Sequence, residues 1–145
     1  MRVLLCGGGT AGHVMPAIAM AEIIKKHFPK AAIAFVGREG GKENEAYVRT
    51  GHKLYEIKIS GFSRSFSINN IKTVFNVIKS GRLAKSIIND FKPDIIIGTG
   101  GYVCYPLIRQ GQRLKIKTRI QRFPRTCHQT SWRSMRQSSI EYCIH

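Results

Sequence analysis

The chain has 145 residues, 43% of them apolar, which is enough to bury one core and argues against disorder. It carries 24 Lys and Arg against 8 Asp and Glu, a formal charge of +16, so its expected partners are polyanions: nucleic acid, anionic lipid headgroups or phosphorylated substrates. No run of about 18 apolar residues exists to span a membrane, and the apolar start at 3–6 runs into glycines instead of a signal-peptide core. Cys6, Cys104, Cys127 and Cys143 show no CxxC or metal-ligand spacing, so reduced cytoplasmic thiols and no metal site are expected.

Strand, glycine turn and helix then alternate. Residues 2–6 (RVLLC) are a short apolar run ended by three glycines, as a buried strand would be. Residues 13–28 place Val14, Ile18, Ala21, Ile24 and Phe28 at helical spacing, with Pro16 near the start, where proline is tolerated. Residues 32–36 (AIAFV) form a second strand closed by Gly37. Residues 42–50 read as a short polar helix, and Leu54, Ile57 and Ile59 lie in a third strand. Residues 60–67 (SGFSRSFS) read as a loop. Residues 68–91 form a long amphipathic helix in which Gly81 marks a kink or break, and Lys92-Pro93 stops it. Residues 94–97 are a fourth strand, 98–101 a second glycine turn, and a helix follows to about Leu114. Strands alternating with helices predict an α/β, Rossmann-like parallel sheet with helices on both faces. Both glycine turns then fall at the carboxyl ends of strands, where such sheets bind ligands.

The motif Gly7-Gly8-Gly9-Thr10-Ala11-Gly12-His13 satisfies G-x-G-x-x-G between a strand and a helix. Glycines there let backbone N–H groups approach a phosphate at the positive end of a helix, but the same pattern also serves as a plain tight turn. Gly98-Thr99-Gly100-Gly101-Tyr102 is a second such cluster, and the two together could grip a diphosphate. His13 is a candidate base or substrate contact, against a packing role. Tyr102 either meets the ligand or packs under the loop. Phe62, Arg64, Phe66, Lys72, Phe75 and Lys79 mix apolar and cationic side chains, as a membrane-interface patch does; a solvated face on a packed helix fits the same residues.

The segment GGGTAGHVMPAIAMA resembles the signature GGGTGGHxxPAxAxA of the family 28 glycosyltransferases, with Ala11 where glycine is usual. These enzymes add N-acetylglucosamine to lipid-linked muramoyl-pentapeptide in peptidoglycan synthesis. ISGFSR at 59–64 is similar to the family's I-x-G-x-R loop. KPDIIIGTGGYVCYP at 92–106 resembles KPDVVxGxGGYVSGP, with Cys104-Tyr105 in place of Ser-Gly. The resemblance covers residues 1 to about 117. It implies a GT-B enzyme of two Rossmann-like domains: an N-terminal one for the acceptor and a C-terminal one for UDP-N-acetylglucosamine. It further implies inverting transfer without a metal or other cofactor, an acceptor site at Gly8, Gly9, Thr10, Ala11, Gly12, Gly100, Gly101 and Tyr102, and His13 facing the cleft as the catalytic candidate. The family's place is peripheral, at the cytoplasmic face of the plasma membrane.

The resemblance stops near Thr118. LKIKT at 114–118 begins a fifth strand, and then RIQR stands where an H-E-x-N motif is expected. Residues 118–145 form a basic tail with five arginines and one acid, Glu141, that fits no element. A reading-frame shift would account for it, and a divergent tail is the alternative. Without a donor domain, these 145 residues alone are expected to be inactive. Two other readings remain open. One is an NADP-dependent oxidoreductase, with Arg38 on the 2′-phosphate. The other is a non-catalytic half of a split glycosyltransferase. Nucleic acid is not expected, since no base-stacking or recognition-helix motif accompanies the charge.

Overall fold

The computed structural model describes residues 1–42, 44–59 and 70–121, the side chains of 70–79 excepted. In chain order these form β1 (Arg2–Gly7), α1 (Ala11–His27), β2 (Ala32–Arg38), α2 (Asn44–Val48), β3 (Lys53–Ile57), α3 (Asn70–Phe91), β4 (Ile95–Gly100), α4 (Cys104–Arg113) and β5 (Lys117–Ile120). The strands make one sheet in the order β3-β2-β1-β4-β5, and every pairing is parallel. The chain winds outward from β1 to β3, then returns to the other side of β1 to build β4 and β5. The switch point therefore falls between β1 and β4.

Side chains alternate across each strand, and both faces are covered, so the central strands read as unbroken apolar runs. On one face Val3, Leu5, Ile33, Phe35 and Ile97 meet Val14, Ala17 and Ala21 of α1 and Tyr47 of α2. On the other, Leu4, Cys6, Ala34, Val36 and Ile96 meet Ala84, Ile87, Ile88 and Phe91 of α3 and Val103, Leu107 and Ile108 beside or within α4. Burying each such Leu, Ile or Phe contributes about 1.5–3 kcal/mol. Gly111 lets α4 lie close on the sheet: a Cβ there would stand 2.7 Å from Ile96 Cδ1 and 2.9 Å from Thr118 Cγ2.

Several boundaries differ from the sequence reading. Helix α1 starts at Ala11, so Pro16 is its sixth residue and withholds the N–H that would bond the Gly12 carbonyl. Gly98, Thr99 and Gly100 belong to β4, and the turn begins at Gly101. Helix α3 runs without interruption through Gly81, whose missing side chain leaves open space. The fifth strand occupies Lys117–Ile120 instead of 114–118. The loop at 60–67 lies outside the described residues, as do residues 122–145.

Candidate functional site at the switch point

Because β1 and β4 are parallel neighbours, their carboxyl ends bring the two glycine loops together. The contact is direct. Gly101, at φ +83°, lies on the carbonyl of Gly8, and a Cβ on Gly101 would overlap it. Gly100, at φ +129°, faces the His13 ring so closely that a Cβ would stand 2.6 Å from Nε2. Gly9, at φ +90°, is covered by Tyr102, whose Cε1 would be 3.1 Å from an added Cβ. These positive φ values are open to glycine and strained for other residues.

His13 occupies the third position of α1, half-buried, with its amide bonded to the Thr10 carbonyl at 3.0 Å. Thr10 stands at the N-cap in extended conformation, but its hydroxyl does not cap the helix. It lies 3.0 Å from His13 Nδ1 instead. The first N–H groups of α1, at exposed Ala11 and Gly12, have no intrahelical partner by geometry and point out of the helix end. Every acceptor-site candidate therefore falls in one cluster at the switch point: Gly8, Gly9, Thr10, Ala11, Gly12 and His13 from the first loop, and Gly100, Gly101 and Tyr102 from the second.

The scaffold beneath the cluster was not recognised in the sequence. The Thr99 hydroxyl donates its one proton to the His13 carbonyl at 2.6 Å and lies 3.3 Å from the Cys6 carbonyl, placing β4 against both ends of the first loop. Tyr47, fully buried on a helix read as polar, donates to the Gly7 carbonyl at 3.0 Å and stacks on Phe35. Asn44 donates to the Arg38 carbonyl at 2.6 Å and to Glu56 at 2.5 Å. The i, i+3 spacing of Asn44 and Tyr47 was the available signal for an inward face on α2. Arg38, weighed above for a cofactor phosphate, donates to the Tyr102 hydroxyl at 3.2 Å and so stands at the rim of the same cluster.

The membrane-patch residues are not brought to this site by any described contact. Phe62, Arg64 and Phe66 lie outside the described residues. Lys72, Phe75 and Lys79 lie on α3, described there in its backbone only. Among the described residues no helix is long and apolar enough to cross a membrane.

A 3-2-1-4-5 parallel sheet with two glycine loops meeting at its switch point is a Rossmann-like domain. Residues 3–121 match the glycosyltransferase family 28 N-terminal domain, and the chain belongs to that family. It is similar to the UDP-N-acetylglucosamine--N-acetylmuramyl-(pentapeptide) pyrophosphoryl-undecaprenol N-acetylglucosamine transferase of Leuconostoc citreum. The two are 48% identical over 120 residues, covering 83% of this chain and 32% of the relative. The Listeria monocytogenes enzyme of the same name is 46% identical, covering 83% of this chain and 33% of its own length. The chain thus spans about a third of the length of these relatives. Among solved structures, Acinetobacter baumannii MurG superposes with a TM-score of 0.67 at 26% identity, covering 82% of this chain and 34% of that one. The Streptomyces glycosyltransferase SsfS6 shares the fold, at a TM-score of 0.55 and 14% identity over 83% of this chain and 39% of its own. These neighbours are GT-B glycosyltransferases, and the family match places the first glycine motif in a family 28 N-terminal domain.

Proposed function

We propose that this chain is the acceptor-binding half of an inverting transferase that moves N-acetylglucosamine from UDP-N-acetylglucosamine to undecaprenyl-diphospho-muramoyl-pentapeptide. The observation that carries this reading is the meeting of the two glycine loops around His13 at the sheet's switch point. The acceptor's diphosphate lies against the uncapped start of α1, where N–H groups and the helix dipole favour negative charge. Thr10 fixes the imidazole: with Nδ1–H donating to the Thr10 hydroxyl at 3.0 Å, Nε2 keeps its lone pair free to accept a proton. Nε2 then takes the proton of the acceptor's 4-hydroxyl as that oxygen attacks the anomeric carbon. The bond from that carbon to UDP breaks, and UDP leaves with the electron pair. UDP-N-acetylglucosamine is held by a second domain of the family's architecture, so the 145 residues assayed alone transfer nothing. The residues around Phe62 to Lys79 approach the cytoplasmic face of the plasma membrane, where a lipid-linked acceptor resides.

Gly12→Asp tests the diphosphate site without disturbing the fold. A Cβ at Gly12 meets only Thr10 Oγ1, at 3.7 Å, and a carboxylate in the first helical turn favours the helix. The same carboxylate repels a bound diphosphate. Titration of a short-chain polyprenyl-diphospho-muramoyl-pentapeptide should show affinity reduced about tenfold or more with stability kept, a difference of about 1.4 kcal/mol in binding. Undiminished binding by Gly12→Asp would remove the diphosphate from this helix end.

A further inference from the structure

Cys6 and Cys104 are separated by almost the whole domain in sequence yet pack in one core cluster on the same face of the sheet. Cys6 is on β1 and fully buried; Cys104 opens α4 and is 6% exposed. Gly98 is the partner of Cys6 across the β1–β4 ladder. A Cβ on Gly98 would stand 3.2 Å from Cys104 Cβ and 3.3 Å from its Sγ, so Cys104 lies over the seam on the face that Cys6 also occupies. The Cys104 Sγ is 2.9 Å from the Cys6 carbonyl and 3.0 Å from the Gly100 carbonyl. The Cys6 Sγ is 3.5 Å from the Ile97 carbonyl.

We propose that Cys6 and Cys104 are a redox pair that closes to an intrachain disulfide and thereby resets the Gly100–His13 contact. The two thiols are unequal. A hydrogen bond from Cys6 holds Cys104 below the ordinary thiol value, against the effect of burial, with help from the backbone at Gly100 and Thr99. Cys6 is pushed up by the same hydrogen bond and by burial. Cys104 is also the less enclosed of the two, 6% exposed against 0% for Cys6, so an oxidant meets it first: Cys104 is the attacking sulfur and Cys6 the resolving one.

The oxidant must be small to reach a thiol so little exposed, and hydrogen peroxide is of that size. The Cys104 thiolate attacks one peroxide oxygen, the O–O bond breaks, and hydroxide leaves and takes a proton to become water. The product is a sulfenic acid on Cys104. Cys6 Sγ then attacks Cys104 Sγ, the S–O bond breaks, and the departing hydroxide takes the Cys6 proton. Two thiols and one peroxide become one disulfide and two waters. A disulfide has no S–H, so the Gly100 and Cys6 carbonyls lose the Cys104 donor. Gly100 is the residue on which the His13 ring rests, so the loop and the ring shift together. The disulfide is inferred from the packing of the two cysteines alone; a consequent loss of acceptor binding rests on the function proposed above.

The test uses the full chain with Cys127→Ala and Cys143→Ala, leaving Cys6 and Cys104 as the only thiols. Graded peroxide under native conditions should yield a species lacking two hydrogens by mass, with peptide mapping joining Cys6 to Cys104. A thiol reductant should reverse it. Amide signals of Gly100 and Gly101 and the His13 ring signals should move on oxidation and return on reduction. Cys6→Ala should stop at a Cys104 sulfenic acid, read as one added oxygen by mass and trapped by dimedone once the oxidised chain is unfolded in it, and the near-isosteric Cys104→Ser should fold and show no oxidation product. The proposal is overturned if both thiols stay reduced at peroxide levels that oxidise Cys127 and Cys143 in the parent chain. It is equally overturned if the link forms only once urea has unfolded the protein.

Discussion

Gly101→Ala isolates the contact on which the site depends. The methyl incurs two costs that can be separated. At φ +83° any L side chain suffers the left-handed penalty, about 1–2 kcal/mol. The methyl must also displace the Gly8 carbonyl, a backbone atom in a loop tied down by Thr99 and Tyr47, and overpacking of that kind costs about 1–3 kcal/mol more. Gly51 and Gly40 supply the controls. Their φ values are +72° and +66°, and nothing lies within 4 Å of an added Cβ, so alanine there incurs the backbone penalty only. Urea unfolding should therefore show losses of about 1–2 kcal/mol for Gly51→Ala and Gly40→Ala and about 2–5 kcal/mol for Gly101→Ala, with unchanged m values. Equal losses at the three positions would show that the loops do not press on one another, and the argument for a shared site at the switch point would fall with that contact.

Three further outcomes follow from particular residues. Asn44→Asp replaces the donor that serves the Arg38 carbonyl and Glu56 with a second acceptor, and should cost about 1–3 kcal/mol at neutral pH by urea unfolding. Burial, and then Lys25, hold His52 below its ordinary imidazole value. As pH falls through about 6.5 the unfolded chain takes up that proton first, so stability declines from there down to the lower folded value. His52→Gln should flatten that decline in a series of urea midpoints against pH. The chain should bind anionic vesicles in a manner weakened but not abolished by salt, and Phe62→Ser with Phe66→Ser should remove the salt-resistant part; equal binding at high salt would sink the interfacial patch.

Much of the fold was legible because its causes are local. Strands covered on both faces leave unbroken apolar runs, as in AIAFV and DIII, and a helix that packs on one side leaves a 3.6-residue period, as around Ile87 and Ile88. The glycine clusters were visible for the same reason, since positive φ writes itself into composition. Boundaries were less legible. Thr99 and Gly100 look like a turn, but parallel pairing with β1 extends β4 through them. Helix α2 looked polar because its inward face amounts to Asn44 and Tyr47, a pair too short to register as a period.

The α/β class, the alternation of elements, the two glycine loops and the resemblance to family 28 can all be read along the chain, because each depends on neighbouring residues. What those loops touch follows from the folded sheet. Gly101 meets Gly8, Gly100 meets His13, Thr99 bonds the His13 carbonyl, and Cys104 reaches Cys6, the two bonded pairs standing 86 and 98 positions apart in sequence. Such contacts arise when β4 returns to lie beside β1, and that return is driven by burial of the whole sheet, not by any property of the residues that end up in contact.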